Sequence, residues 1–444
     1  MKPLLDAELA ARVRCSLAAL RCSGQPRLLW LSHALGGGVE RHLNELVAAV
    51  AGRAWPLLLQ PGTWPGGVVL RLPGVKGLGN DDEGLQLGFT WPQEYPLLQA
   101  WLQWLGVSRM HVHHLVGFPD AMIQALMGLD LPVDLTLHDH SILGSGANYP
   151  AGQLARTMQS LACRAQRIIV PSRSLADAVH KVLPGLDIRV QPHPDAEVDV
   201  PYPSPLPLRL SEQEVLRVLC LGTFTPEKGA VVLSRVARLA AKQGRPVEFQ
   251  LLGDNLYPLP RSVQRFGAYL DADLDQLLRQ KKPHLLWLPA QVPETWSYTL
   301  SAGLRAGLPI LASDIGAISE RLQGRPATRL LSPGSATDVW LEALLDMRAG
   351  LVRGLGKEPW PQLSVGAFYT GGSYLQHEQS EPLPESVPPP GLEVALSLGV
   401  SRPGRWRRLV AYLARHSRKL PLLGRFLASA SLRIRLKRVL IKSD

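Results

Sequence analysis

Five stretches of this sequence have residue types and spacings that could do chemistry. "HVHH" (His111, His113, His114) and "HDH" (His138, Asp139, His140) each close a short apolar run. On an extended strand His111 and His113 share one face and His114 takes the other, which brings imidazole and carboxylate groups to adjacent strand ends. Two readings fit: polar groups lining a cleft, or zinc ligands, although the spacing matches no closed four-ligand site. "GTFTPEKGA" (Gly222 to Ala230) ends a strand at Gly222 and opens a helix at Lys228-Gly229. A lysine there can reach a diphosphate while the helix dipole favours the same anion. The plainer alternative is a surface lysine on a strand-to-helix loop, since the pattern is not G-x-x-x-x-G-K-[ST]. "HALGGGVERH" sets Gly36, Gly37 and Gly38 between a strand and a helix, where backbone N–H groups can approach an anion or a sugar. It is not a G-x-G-x-x-G fingerprint, and a tight turn explains it equally well. Glu294 leads "PETWSYTLSAGLRAGLPIL" (Pro293 to Leu311) and has no second acid within it.

The elements that must position these groups alternate along the chain. "RLLWLS" reads as a strand, the triple glycine as a loop and "VERHLNELVAAVA" as a helix. "YPLLQAWLQWLG" follows as a helix, then "VSRMHVHHL", "VDLTLHD" and "RIIVPS" as strands. The same grammar restarts at "VLRVLCLG", with "AVVLSRVARLAAKQG", "VEFQLLG", "DADLDQLLRQKK", "HLLWLPA" and "SYTLSAGLRAG" as helix, strand, helix, strand and helix. Strands interleaved with helices argue for an α/β class with parallel sheets covered on both faces, which puts functional residues at the carboxyl ends of the strands. The six prolines of "QPHPDAEVDVPYPSPLPL" forbid regular pairing. The expected division is a first doubly wound domain over 1–195, a linker over 196–212, a second domain over 213–353, a loose proline-rich segment over 354–400 and a helical tail over 401–444.

The length of 444 residues, with 46% hydrophobic content, suits two globular domains. No apolar run is long enough to span a membrane, and the N-terminus lacks the apolar core of a signal peptide, so a cytoplasmic protein is expected. Four scattered cysteines suggest neither a disulfide framework nor a zinc site. The net charge of +11 sits in the tail: residues 401–444 carry thirteen Lys or Arg and one acid, which leaves the rest of the chain at −1. Trp406, Leu409, Val410 and Leu413 share one helical face, and Leu423, Phe426, Leu427, Ala430 and Ile434 another. Such basic amphipathic helices suit an anionic bilayer surface or docking on their own domain. Nucleic-acid binding is the weaker reading, because no recognisable module accompanies the charge.

Taken in order, "GGGVERH", "HVHH", "LHDH", "VPSRS", "GTFTPEKG", "FGAY" and "PETWSYTLSAGLRAGLPILASDIGAISERL" resemble a GT-B-fold glycosyltransferase of the family 4 type, in its bacterial "PET-aromatic-SYTLS" branch. The resemblance spans about residues 25–345. It implies two Rossmann-like domains facing a cleft and retaining transfer of a sugar from a nucleotide sugar to a glycan or lipid-linked acceptor, as in bacterial surface polysaccharide or lipopolysaccharide synthesis. No cofactor and no metal are implied. Lys228 matches the lysine that stabilises the leaving diphosphate, Glu294 the acid facing the donor sugar, and His113 the histidine near that sugar. Gly36, Gly37 and Gly38 match the loop near the donor phosphates; His114, His138 and Asp139 line the cleft; Gly267, Ala268 and Tyr269 meet the nucleotide base. Two positions depart from the pattern: the second acid of E-x7-E falls at Ala302, and the arginine that accompanies the lysine falls at Thr223. Losing the charged ribose contact costs about 1.5–3 kcal/mol unless other groups replace it. Ser301 and Ala302 are expected to present small side chains and backbone to the nucleotide instead. The alternatives are a catalytically silent GT-B domain that acts as a binding or scaffold subunit, and a different GT-B chemistry such as sugar-nucleotide epimerisation.

Overall fold

A computed structural model describes residues 7–75, 84–144, 152–197, 209–354, 366–376, 381–384 and 386–390. The tail helices expected over 401–444 lie outside the described residues. The chain divides into two compact units: Met1–Ile169 with Leu183–Arg189 and Ala367–Asp444, and Val170–Val182 with Val190–Gly366.

The first unit opens with α1 (Ala7–Cys22), β1 (Arg27–Leu31) and α2 (Gly38–Val50). After these come β2 (Trp55–Pro61), β3 (Gly67–Leu72), β4 (Leu85–Thr90) and α3 (Tyr95–Leu105), then β5 (Arg109–Val112), α4 (Asp120–Met127), β6 (Val133–Thr136), α5 (Gln153–Arg164) and β7 (Arg167–Val170). Helix α6 (Arg173–Val182) then leads to β8 (Ile188–Val190). These strands form one sheet in the order β4-β3-β2-β1-β5-β6-β7-β8. Strand β1 pairs in parallel with both β2 and β5, so its carboxyl end is the topological switch point. Strands β3 and β4 pair antiparallel at one edge, an addition to the all-parallel sheet expected. The prolines at both ends of "WPLLLQP" and the glycines flanking Trp64 hide this hairpin from a periodicity argument.

The second unit contains β9 (Leu216–Leu221), α7 (Ala230–Lys242), β10 (Val247–Leu252), β11 (Val263–Gly267), α8 (Leu274–Lys281) and β12 (Leu285–Leu288). It continues with α9 (Tyr298–Arg305), β13 (Ile310–Ser313), α10 (Gly316–Leu322), β14 (Thr328–Leu331) and α11 (Thr337–Arg353). Its sheet runs β11-β10-β9-β12-β13-β14, with every pairing parallel and the switch point between β9 and β12. Apolar strands such as "LLWL" are buried on both faces, as a sheet covered by two helix layers requires.

Two expected segment boundaries change. Helix α6 and residues 190–197 belong to the second unit, because α6 packs on α10 and because Glu320 of α10 accepts hydrogen bonds from the backbone N–H groups of Arg173 and Ser174. The segment expected to be loose after 354 is bound where it is described. Phe368, Tyr369 and Tyr374 are buried in the core of the first unit with Leu28, Trp30 and Leu46. Further on, backbone groups of Leu383, Pro384 and Pro390 hydrogen-bond to Arg21 and Trp101. Polarity hid this from the sequence: a few aromatic rings and an extended backbone with partners anchor it, not a periodic apolar face.

Candidate functional site

The carboxyl end of the second sheet gathers the residues singled out around Lys228 and Glu294. Strand β9 ends at Leu221, and the chain passes through Gly222, Thr223 and Phe224 before a tight turn in which the N–H of Lys228 donates to the Thr225 carbonyl. Gly229 then starts α7 with φ +89°, and a β-carbon there would stand 2.0 Å from the Pro289 carbonyl oxygen. Only glycine lets α7 begin this close to the end of β12. The Gln291 N–H donates to the Glu227 carbonyl at 2.7 Å and ties the two loops together. As a result Lys228 Nζ lies 3.6 Å from Glu294 Oε1, across 66 residues of chain and across the switch point. The lysine is 44% exposed and the glutamate 19%, so both keep access to solvent while touching each other.

The "PETWSY" stretch holds Glu294 in place. Trp296 is buried; its indole N–H donates to Asp195 Oδ1 at 2.9 Å, and the Arg321 guanidinium stacks on its ring at 3.7 Å. Arg321 also donates to the carbonyls of Trp296 and Ser297. Ser297 caps α9, its hydroxyl accepting from the Leu300 N–H, in a left-handed conformation with φ +78°. On the other side the Ala317 N–H donates to the Glu294 carbonyl. A β-carbon on Gly316 would meet that carbonyl at 2.8 Å, so the start of α10 lies directly against the backbone of the acid.

Two expected contacts of this site are corrected. Ser301 is fully buried, with its hydroxyl accepting from Arg321 Nη2 at 2.8 Å, and Ala302 is 1% exposed within the apolar core. Neither presents itself to a nucleotide, because α9 presses its face against β12: a β-carbon on Gly303 would stand 2.2 Å from a Leu286 methyl. Thr223 is exposed beside Gly222. Gly267 closes β11, its carbonyl accepting from the Gly253 N–H, while Ala268 and Tyr269 line an open recess with Leu252, Phe266 and Lys281. The Lys281 ammonium sits over the Phe266 ring at 3.6 Å.

The switch point of the first sheet is built from different groups. Gly36 to Gly38 lie exposed or half-exposed at the start of the 13-residue α2, Gly36 and Gly37 with positive φ. Behind this loop His113 Nδ1 lies 3.1 Å from His138 Nε2, and His42 of α2 completes a group in which one nitrogen of each ring lies within 4.8 Å of the others. His111 sits on the same side, its nitrogens bonded to Tyr374 Oη at 2.7 Å and Thr136 Oγ1 at 2.8 Å. His114 turns the other way and hydrogen-bonds Asp139 Oδ2 at 3.2 Å, with the His33 ring 4.6 Å away. The alternation of faces along "HVHH" therefore separates two histidine groups.

Burial sets the charge of these groups. His42, His111, His113 and His138 are held well below the ordinary imidazole pKa, first by burial and then by the positive charge each would feel from its neighbours. His33 falls to about 4, through burial and through His114. Burial works to raise Asp139, but the hydrogen bonds from His114 and the Ser141 N–H outweigh it and hold the carboxylate well below its usual range. His113 is 1% exposed and packs its ring against Trp30 and His42, so the expected sugar contact is corrected: this side chain faces the interior. His114, expected to line a cleft, is 4% exposed and hydrogen-bonds the half-exposed Asp139.

Sequence reasoning missed three positioning residues. His42 stands at the end of "GGGVERH" on the face of α2 that also buries Leu43 and Leu46, so a histidine within an apolar stripe was the available signal. Asp195 lies in a proline-rich stretch with no periodicity, and Arg321 lies in α10 far along the chain; neither carried a local signal.

Known proteins share a segment of this chain and its fold. Residues 36–194 match the family model described as Glycosyltransferase Family 4. Among solved structures, the HepE protein (Alr3699) of Anabaena, crystallised with UDP and glucose, is similar with a TM-score of 0.53 at 15% identity over 80% of this chain and 100% of that one. The sucrose-phosphate synthase of Thermosynechococcus elongatus is similar with a TM-score of 0.53 at 15% identity, over 87% of this chain and 100% of that one. No curated protein is significantly similar in sequence. The likeness in structure shows the fold, GT-B, and the family match covers residues 36–194 alone. No helix among the described residues is long and apolar enough to cross a membrane.

Proposed function

We propose that the protein transfers a sugar from a nucleotide sugar to a glycan or lipid-linked acceptor, with retention of anomeric configuration, in the synthesis of a bacterial surface polysaccharide or lipopolysaccharide. The observation that carries this reading is the meeting of Lys228 and Glu294 at the switch point of the second sheet, 3.6 Å apart and open to solvent. A nucleoside diphosphate leaving group develops negative charge, and Lys228, at the start of α7, supplies a fixed positive charge where that charge appears. Glu294 accepts hydroxyl hydrogen bonds of the donor sugar and gives up its contact with Lys228 when the diphosphate arrives. With Lys228 answering the diphosphate, the transfer needs no metal ion there. The exposed glycine loop at the start of α2 supplies N–H groups for a further anionic or sugar oxygen. The recess beside Tyr269 takes the base. UDP-sugars are the first donors to test, because the similar HepE structure holds UDP and glucose. The basic residues of 401–444 would hold the enzyme on the cytoplasmic face of an anionic membrane.

The test is a thermal-shift and nucleotide-release screen against UDP-, GDP-, dTDP- and ADP-sugars, with Lys228→Ala alongside. One donor should stabilise the protein and release its nucleotide when acceptor is present, and both effects should vanish in the variant. No response to any donor would overturn the proposal. A silent binding subunit is favoured by one observation, the absence of an acid at the buried position 302. It requires donor binding without nucleotide release for every acceptor tried. For the membrane, the full chain should bind anionic vesicles and a chain ending at residue 400 should not.

A further inference from the structure

Three imidazoles from three separate segments converge inside the first unit. His42 comes from the first turns of α2, His113 from just beyond β5 and His138 from just beyond β6. Their ring centroids are 4.7 Å (His42 to His138), 5.4 Å (His42 to His113) and 5.4 Å (His113 to His138) apart. One nitrogen of each lies within 4.8 Å of the other two. Around a tetrahedral ion with metal–nitrogen bonds of about 2.0–2.1 Å, neighbouring ligand nitrogens stand about 3.3 Å apart. His113 Nδ1 and His138 Nε2, at 3.1 Å, already have that spacing.

A core filler explains the cluster poorly. His113 Nδ1, the nitrogen that faces His138, is the one placed to bind an ion, while its Nε2 is buried with no hydrogen-bond partner among the described residues, a cost that an aliphatic side chain filling the same core would avoid. His111, by contrast, has both ring nitrogens bonded, to Tyr374 and Thr136, and its ring rests 4.0 Å from that of His113. It braces the cluster from outside.

We propose that His42, His113 and His138 form a binding site for one divalent transition-metal ion, Zn2+ being the best fit. The donor set is imidazole alone, which suits Zn2+, Co2+, Ni2+ or Cu2+; Mg2+, Ca2+ and Mn2+ take oxygen ligands. Neutral imidazole is the form that binds metal, so the affinity should fall as pH drops. His138 is partly exposed, and it gives the ion its way in and leaves a fourth position for water. Bound there, the ion pins the first turns of α2, and with them the loop of Gly36 to Gly38, to the carboxyl ends of β5 and β6. The site lies wholly within the first unit and takes no part in answering the donor diphosphate.

The experiment uses the full chain, stripped with EDTA and dialysed against Zn2+ or Co2+, with bound metal counted by mass spectrometry and the visible bands of bound Co2+ recorded. One equivalent should be retained, Co2+ should give the intense bands of a four-coordinate site, and the thermal midpoint should rise. In His138→Ala and in His42→Gln the affinity should fall by more than about tenfold and the Co2+ bands should be lost. Cys163→Ser, which removes an exposed thiol, should change nothing. His138→Ala decides the matter if His42→Gln fails to fold, because His138 is the least buried of the three. Failure to retain an equivalent of either ion, or equal retention by wild type and His138→Ala, would overturn the proposal. Metal content is read without turnover, so this outcome is independent of the donor screen.

Discussion

Both units place their distinctive residues at the switch point of a parallel sheet, yet the two points are built on opposite electrostatic terms. In the second unit a lysine and a glutamate meet at 3.6 Å with 44% and 19% of their side chains exposed, so water sustains both charges and an incoming anion can compete for the lysine. In the first unit three imidazoles are buried and a fourth, His138, is half-buried, and burial holds all four neutral. One end is arranged to exchange charged partners, the other to keep its rings unprotonated. The same backbone geometry, parallel strands with helices starting at their carboxyl ends, leaves the chemistry to burial.

The largest effect that would break this contrast lies at Lys228. Lys228→Ala should lower turnover of the best donor about 100- to 1000-fold, the cost of removing one preorganised charge from a developing anion, with little change in the unfolding midpoint. Steady-state kinetics beside thermal unfolding separates the two effects.

The first unit should answer to pH instead. His33 has its folded pKa lowered to about 4 from an ordinary 6.5, so between those values the unfolded chain takes up a proton that the folded chain refuses. Its contribution is therefore fully present above pH 6.5, lost as pH falls towards 4, and flat below; over that window it amounts to about 3 kcal/mol. Urea unfolding of wild type and His33→Gln at pH 7, 5.5 and 4 should show the variant losing less stability on acidification.

A smaller change tests how Glu294 is held. Asp195→Ala removes the acceptor of the buried Trp296 N–H and should cost about 1–3 kcal/mol in urea unfolding while raising KM for the donor, because Trp296 lies two residues from Glu294. The smallest stability effect belongs to the half-exposed ion pair itself. Glu294→Gln should change stability by less than about 1 kcal/mol while turnover falls by tenfold or more, and a stability loss as large as that of Asp195→Ala would mean that the pair is structural.

Much of the frame was legible because it follows from periodicity. The apolar runs that became β1, β9, β10 and β12, and the amphipathic stripes that became α2, α3 and α7, depend only on which residues repeat at two or at about 3.6. Lys228 and Glu294 were legible as candidates because each stands at the end of a buried run. The hairpin of β3 and β4 was hidden by glycine and proline. The anchoring of Phe368, Tyr369 and Tyr374 was hidden because three aromatic residues in a polar segment have no period to read. The expected exposure of Ser301 and Ala302 failed for a related reason: small residues fit a surface facing a ligand and a helix pressed onto a strand equally well, and only the contact of Gly303 with Leu286 decides between them.

The sequence by itself determined two α/β units, the placing of chemistry at strand ends, the separation of His114 from His111 and His113, and the one-sided charge of the last 44 residues. These are consequences of local composition and period. Tertiary structure alone decided that Lys228 and Glu294 touch, since that contact spans 66 residues and depends on a glycine fitting against Pro289. It also decided that His42 joins His113 and His138. A helix delivers one ring and two strand ends deliver the others, and no spacing along the chain encodes where separate elements will meet.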